Sequence, residues 1–170
     1  DAIQKLQDQY IAAMASCTEQ ENAESSRDLT VKEIMRAIGN IRANGETGKL
    51  FGLVNAAVYA ELMDDIGSQS FAGGKFQDTA MDTGFLGTIA GVDMFVTSYL
   101  TDANVGLSSH NVQAAVFSAD AFRIGMQKNV DVEIARRAEA VGSDVVASLH
   151  AGVAAIDAAN RGVLIIDENA

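Results

Sequence analysis

Residues 84–100 constrain the fold of this chain more than any other segment, because they predict a tight β-hairpin. Their sequence, GFLGTIAGVDMFVTSYL, has two short apolar-rich runs on either side of Ala90 and Gly91. Glycine adopts, at little steric cost, the positive φ that a two-residue hairpin turn requires. In the second run apolar residues alternate with other residues, as in a strand. We therefore predict antiparallel strands over 84–89 and 92–98, joined at a turn formed by Ala90 and Gly91.

The composition is that of an ordinary globular domain. The 170 residues are 48% hydrophobic and 21% charged, enough to build one core. No apolar run approaches the roughly 18 residues that span a bilayer, and the N-terminus lacks the pattern of a secretory signal. Cys17 is the only cysteine, which excludes an internal disulfide and makes a reducing cytoplasm the default expectation.

The net charge argues against a nucleic-acid partner. Twelve basic and 23 acidic residues give a formal charge of −11 at pH 7. Tight binding to duplex DNA requires lysines and arginines that displace counterions from phosphates. This surface should therefore repel nucleic acid on average, and only a local basic patch would change that expectation. We predict no sequence-specific nucleic-acid binding and no membrane partner.

Three segments have helical signals before the hairpin. Residues 1–22 place apolar side chains three and four positions apart, as in an amphipathic helix. A second helix is predicted to begin at Thr30, which together with Glu33 forms a capping box. A third helix is predicted to begin at Asn55 and to end at Gly67.

The second helix has the clearest boundaries. Leu29 and Ile34 flank the capping box at the positions of a hydrophobic staple. Gly45 is placed to end the helix, because glycine tolerates the left-handed conformation that follows a helical C-terminus.

The rest of the chain predicts mostly strands. Apolar runs indicate strands at 50–54, 112–117, 130–134, 153–156 and 162–166. Loops are expected at 67–82 and 101–111, and a short helix or turn at 119–127. In residues 136–150 the apolar side chains again lie three and four positions apart, which predicts a helix. Helices that cluster early and antiparallel strands that dominate late indicate an α+β fold, not a doubly wound nucleotide-binding sheet.

Candidate catalytic and binding motifs are weak. Residues 45–49, GETGK, lack the first glycine and the final Ser or Thr of a phosphate-binding loop, so a solvated turn is the better interpretation. His110 and His150 lack the partners of a catalytic relay. Because His150 follows an apolar helical face, we interpret it as a packed or capping residue. Asp131 and Glu133 would share one strand face, where a polar surface is favoured over a cation site that needs more ligands. Asp64 and Asp65 are also neighbouring carboxylates, but adjacent residues of a helix point in different directions, so they would not form a pair. We therefore predict no catalytic residues, no metal and no cofactor.

A charged cluster near the C-terminus has two readings. Arg136 and Arg137 are followed by Glu139 and Asp144. Arginine pairs with carboxylates in a bidentate geometry and is enriched at protein interfaces. Isolated surface ion pairs contribute little, so a solvated charged face is an equal alternative to an intersubunit contact.

The segments described above resemble the major capsid proteins of tailed bacteriophages. The hairpin GFLGTIAGVDMFVT is similar to a hairpin of that family, and AAVFSADAF at 114–122 is similar to the segment that follows it. Residues 129–167, with an acidic strand leading into Ala-Arg-Arg, resemble the C-terminal end of short-tailed phage coats. The strand and helix over 51–66 lie where the family also has a strand and a helix.

The resemblance implies the Hong Kong phage type of coat fold, which bacterial encapsulin compartments share. Residues 1–28 would belong to the spine-helix part of a peripheral domain. Residues 29–125 would form the axial domain, and the strands over 126–170 would return to the peripheral domain. The family also has an N-terminal arm and an extended loop, and neither is evident before the helix at Asp1. That departure implies a truncated or processed product, or parts outside the supplied sequence.

The resemblance also implies a function. The chain would be a non-enzymatic coat subunit that assembles into hexamers and pentamers of an icosahedral head enclosing DNA. Its partners would be other copies of itself and possible scaffolding, portal or cement proteins, and it would be found in the virion after assembly in the host cytoplasm. Two alternatives are an encapsulin-like compartment shell, and a small cytosolic α+β enzyme with a site built from scattered residues such as His110, Asp131 and Glu133.

Overall fold

The computed structural model describes residues 2–23, 28–68, 85–107, 111–137 and 142–167. Its helices are α1 (Ala2–Ala13), α2 (Val31–Ala43), α3 (Tyr59–Ser68), α4 (Asp102–Val105) and α5 (Ala158–Arg161). Its strands are β1 (Thr18–Glu21), β2 (Leu50–Asn55), β3 (Phe85–Ile89), β4 (Val92–Thr97), β5 (Asn111–Ser118), β6 (Phe122–Arg137), β7 (Gly142–Ala155) and β8 (Gly162–Asp167). This mixture confirms the predicted α+β class.

Six of these strands form one mixed sheet in the order β1-β8-β5-β2-β4-β3. The β1/β8 and β2/β4 pairs are parallel, and the other three pairs are antiparallel. Strands β6 and β7 pair with each other in a separate two-stranded ribbon. The sheet thus includes strands from near both ends of the sequence, with β8 between β1 and β5.

The sheet is buried on both faces, because alternate residues of its central strands enter two different cores. On β8, Val163 and Ile165 pack on the side of α2 and α3, whereas Leu164 and Ile166 face the opposite core. The opposite core contains Ile11 and Met14, at the end of α1 and just after it. Burial on both faces explains why 112–117 and 162–166 read as continuous apolar runs.

The sequence signals at the ends of α2 are present in the structure, except that only the Thr30 half of the capping box forms. Thr30 caps the helix, its hydroxyl accepting from the backbone N–H of Glu33 at 3.4 Å. Leu29 and Ile34 are both fully buried in one core, and Gly45 follows the helix with φ 88°. The Glu33 carboxylate, which is buried, accepts a hydrogen bond from Gln20 on β1 at 3.0 Å. It therefore ties α2 to the first strand of the sheet.

Two predicted helices have different bounds in the structure. The helix predicted over 1–22 ends at Ala13, and a short 3-10 turn leads from it into β1. The polar residues of β1 are in a strand because they pair in parallel with β8. The third helix begins at Tyr59 and not at Asn55. Asn55 ends β2, and its side-chain oxygen accepts from the N–H of Ala57 at 3.0 Å in the intervening turn.

The hairpin predicted over 84–98 forms as strands β3 and β4. The two strands are antiparallel, and Ala90 and Gly91 join them with φ of 51° and 82°. Two consecutive positive φ values are those of a type I′ turn, whose twist matches that of the flanking strands.

The helix predicted over 136–150 was wrong, and the short helix or turn predicted over 119–127 forms only as a turn at 119 and 120. Strand β6 begins at Phe122, and β7 occupies most of the second range. Thirteen residue pairs join the two strands, from Phe122 opposite Ala155 to Arg137 opposite Gly142. Long-range pairing of this extent outweighs the helical propensity of the alanines. The loop predicted at 67–82 lies almost entirely outside the described residues, and that at 101–111 contains the one-turn helix α4.

None of the described helices is long and apolar enough to cross a lipid bilayer.

Candidate intersubunit surface

The β6–β7 ribbon is the most exposed element among the described parts of the chain. At about 3.4 Å per residue, its 16-residue strand spans roughly 50 Å. Only its base enters the core: Phe122 is buried and contacts Tyr10 of α1 and Phe117 of β5, with ring centroids 5.3 and 5.6 Å away. Helix α1 also packs against β7.

Large apolar side chains are exposed along this ribbon. Among the described residues nine large hydrophobic side chains are exposed, and six of them lie on β6 or β7: Ile124, Met126, Val132, Ile134, Val145 and Val146. Single exposed apolar residues are normal, but a concentration on one element marks an interaction surface.

In the outer half of the ribbon, residues 131–137 and 142–148, the side chains alternate between two faces. One face is mainly apolar, and the other carries the acidic residues together with exposed Val146, which lies opposite Glu133. Val132 and Ile134 share one face because they are two residues apart, and Val145 lies directly opposite Ile134. Ile134 and Val145 are 71% and 66% exposed. Asp131 and Glu133 occupy the other face, as predicted for a strand. The Asp131 carboxylate is 2.7 Å from Lys128 Nζ, which agrees with the polar-face interpretation.

The predicted charged cluster lies at the tip of the ribbon. Arg136 is exposed and opposite Ser143, Arg137 is opposite Gly142, and Asp144 is opposite Ala135. Glu139 lies outside the described residues. The cluster therefore belongs to a hairpin end and not to the helix that we predicted for it.

A partly exposed ion-pair network, in which Glu46 is the buried member, connects the elements at the base of the ribbon. The Arg161 guanidinium lies 3.0 Å from Asp157, 3.2 Å from Glu46 and 3.8 Å from Asp120. Asp120 lies two residues before β6 and Asp157 two residues after β7, so one arginine connects both roots of the ribbon to the 44–48 loop. The backbone N–H of Ile156 donates to Ala121 O at 3.0 Å. Sequence analysis missed this network, since its members are far apart in the chain.

The other motifs have structural roles. In the 45–49 segment the Glu46 carboxylate accepts from the N–H of Gly48 at 2.7 Å, as in a closed turn. Lys49 lies 2.7 Å from Asp93, and its hydrogen bond holds the pKa of Asp93 below the ordinary value. Asp65 accepts from the N–H of Val31 at 2.8 Å and so supports the start of α2.

The histidines do not form a relay in the described structure. His150 was interpreted as a packed or capping residue of a helix, and this was wrong: it is exposed on β7 opposite Lys128. His110 lies outside the described residues. Among those that are described, no group of three His, Cys, Asp or Glu side chains is placed to hold a metal ion.

Comparison with known proteins identifies the fold. No family model and no curated protein sequence matches the chain. Solved structures match over nearly its whole length. The capsid structure of cyanophage P-SCSP1u has a TM-score of 0.69 at 12% identity, covering 96% of this chain and 61% of that one. The head structure of Helicobacter pylori bacteriophage KHP40 has a TM-score of 0.62 at 12% identity, covering 95% and 63%.

A structure from Mycobacterium phage Che8 matches with a TM-score of 0.60 at 16% identity, covering 96% of this chain and 59% of that one. The chain therefore has the fold of phage capsid proteins, and the predicted Hong Kong phage type of fold is confirmed. It spans about three fifths of the length of these structures.

Proposed function

We propose that this chain is part of a major capsid protein, the structural subunit of an icosahedral phage head that encloses DNA. The observation that carries the proposal is the fold, which matches capsid and head structures over 95–96% of the chain. Subunits of such a shell form hexamers and pentamers by repeating the same contacts under symmetry. The place of action is then the virion, after assembly in the host cytoplasm.

The β6–β7 ribbon supports self-association. No other described strand pairs with it, so each of its strands has an outer edge of backbone N–H and C=O groups. Such an edge is a template for another strand, and the exposed apolar side chains beside it favour burial. In the proposed shell a neighbouring subunit covers this surface.

The charged tip of the ribbon is the proposed site of ionic contacts between subunits. Arg136, Arg137, Glu139 and Asp144 are close in sequence at the hairpin end, with both signs of charge present. Arginine–carboxylate pairs between copies would fix the register of the contact more than its strength.

The proposed domains follow from the capsid fold. Within residues 1–28, α1 contributes to the spine helix, whereas β1 joins the sheet of the axial domain formed by 29–125. The part of the β6–β7 ribbon beyond 126 belongs to the peripheral domain. Because β8 pairs with both β1 and β5, our proposal keeps 162–167 with the axial sheet.

The acidic charge is compatible with a DNA container. A lining with a net negative charge repels phosphate and would not retain the strand as it enters the shell. Scaffolding, portal and cement proteins are further proposed partners, and we assign no catalytic role, metal or cofactor to the subunit.

Electron microscopy of the full-length gene product, purified after expression, tests the proposal. We expect closed particles with fivefold and sixfold capsomers. DNA-filled particles from infected cells would separate a phage head from a compartment shell, which would enclose protein instead. A homogeneous monomer or dimer that stays small over a range of concentrations and salt would contradict both.

A further inference from the structure

The middle of the β6–β7 ribbon is irregular at several adjacent positions. Gly125 lies directly opposite Gly152. Immediately beyond this pair the register shifts between Met126 and Lys128, and again between Lys128 and Asp131. At each shift β6 contains one more residue than β7, which is a β-bulge. Bulges bend a strand and interrupt its ladder of hydrogen bonds.

Neither glycine is required by the conformation of the isolated subunit. Gly125 and Gly152 are absent from the residues with positive φ, and a Cβ built on either one would meet nothing within 4 Å. Gly52 is different, since its Cβ would lie 2.2 Å from Met94 Sδ. Glycine inside a strand destabilises it by about 0.5–1 kcal/mol relative to alanine. The opposed pair therefore weakens the ribbon without a packing reason.

The two halves of the ribbon differ in how firmly they are held. The inner half, residues 122–126 and 151–155, is fixed at Phe122 by its aromatic contacts and at its roots by Arg161. Large apolar side chains are more than half exposed in both halves, Ile124 and Met126 in the inner one and Val132, Ile134 and Val145 in the outer one. The halves therefore differ in these contacts at the base and not in exposure. The Lys128–Asp131 ion pair spans the second bulge, but both side chains are nearly half exposed, and such pairs contribute little.

We propose that the Gly125–Gly152 pair and the two bulges beside it form a hinge. The outer half of the ribbon changes its angle relative to the six-stranded sheet, while its own strand pairing stays intact. The inference rests on the proposed function, because a subunit used in both hexamers and pentamers meets its neighbours at more than one angle. A hinge lets one contact surface serve both positions. An alternative role for the two glycines is to let another chain approach the backbone closely, but that role would not explain the two bulges.

Distance measurements between paired spin labels on the isolated subunit test the hinge. One label is placed at Ala43, the exposed end of α2, and the other at Glu133 in the outer half. A matched control moves the second label to Arg123 in the inner half. The native thiol does not compete, because Cys17 is buried. We expect a broad distance distribution for the outer label and a narrow one for the inner label.

Substitution of both glycines by valine is the decisive variant. Valine favours extended backbone, and the open space around both positions accommodates its side chain. We expect Gly125→Val/Gly152→Val to narrow the outer distribution to the width of the inner control. Ala154→Val is the control, because Ala154 lies on the same face as Gly152 but in the regular part of β7. This variant should leave the distance distribution of the outer label broad. If the double valine variant does not fold, Gly125→Ala/Gly152→Ala provides the same comparison.

Two results would overturn the hinge. The first is a distance distribution for the outer label that, in the parent protein, is as narrow as that of the inner label, or that the glycine substitutions leave unchanged. The other is rapid hydrogen exchange at those amides of 131–137 that donate to β7, which would mean that the two strands of the outer half separate instead of rotating as a unit. These outcomes leave the shell function untouched, since that is decided by whether the full-length protein forms closed particles.

Discussion

Gly91 and Gly162 show that glycine is required in this chain for two separate physical reasons. Gly91 has φ of 82° and open space around it, so only its backbone conformation restricts the residue type. A Cβ on Gly162 would lie 2.6 Å from Cys17 Sγ, so there the limit is packing. The sequence revealed the first reason through the turn motif, whereas the second depends on a contact between residues 145 positions apart.

Replacing Gly91 by valine should destabilise the subunit by about 1–3 kcal/mol, because a β-branched residue resists positive φ. Chemical denaturation of both proteins measures the difference. Ala90→Asn is the matched control: asparagine tolerates the left-handed region that Ala90 occupies at φ 51°, so this variant should be at least as stable as the parent. Unchanged stability of Gly91→Val would show that the turn is formed differently.

Cys17 should be unreactive in the folded protein. Burial raises the pKa of its thiol from 9.0 to about 12, and it is the thiolate that reacts with alkylating reagents. Iodoacetamide at pH 8 should modify it only after denaturant is added. Prompt modification of the native protein at this pH would show that the α1 end of the core is open.

The same pKa shift gives stability a definite pH dependence. Below pH 9 the thiol is protonated in both states and has no effect. Between pH 9 and 12 the unfolded chain loses the proton while the folded chain keeps it, so stability should fall as the pH rises. Burial and the nearby Cys17 raise the pKa of Tyr10 to about 12 as well, which adds to the fall. Cys17→Ala should show a smaller slope in this range.

At the scale of elements, local signals and long-range pairing decided different parts of the fold. The start of α2 needs only Thr30, Glu33 and their neighbours, and it formed where the capping box predicts. The ribbon is the opposite case: 142–150 has apolar residues at helical spacing, yet it is a strand because it pairs with β6. The capsid resemblance indicated a strand from 130 but gave no warning that it continues back to Phe122.

At the scale of the whole molecule, the tip of the ribbon should matter for association and not for folding. Changing Arg136 and Arg137 to glutamate should impair particle formation while the melting temperature stays close to that of the parent. Arg136 is exposed and has no described role in the core, so its charge should affect mainly contacts between copies. Sedimentation and thermal melting of the same samples measure the two properties.

Arg161→Glu is the internal comparison for that experiment. It reverses a charge held among Glu46, Asp120 and Asp157, so it should lower the melting temperature. An equal loss of melting temperature in the Arg136/Arg137 variant would contradict the assignment of the tip to an intersubunit contact, because it would place those arginines inside the subunit.

The sequence by itself determined the features that neighbouring residues control: the Ala90–Gly91 turn, the cap of α2, the buried runs of β5 and β8, and the α+β class. Only the tertiary structure decided that β1 and β8 lie side by side, that 142–150 is a strand and not a helix, and that one arginine joins both roots of the ribbon. The physical reason is the range of the forces involved. Backbone conformation and capping act over a few residues, whereas strand pairing and ion-pair networks depend on segments that meet only when the chain is folded.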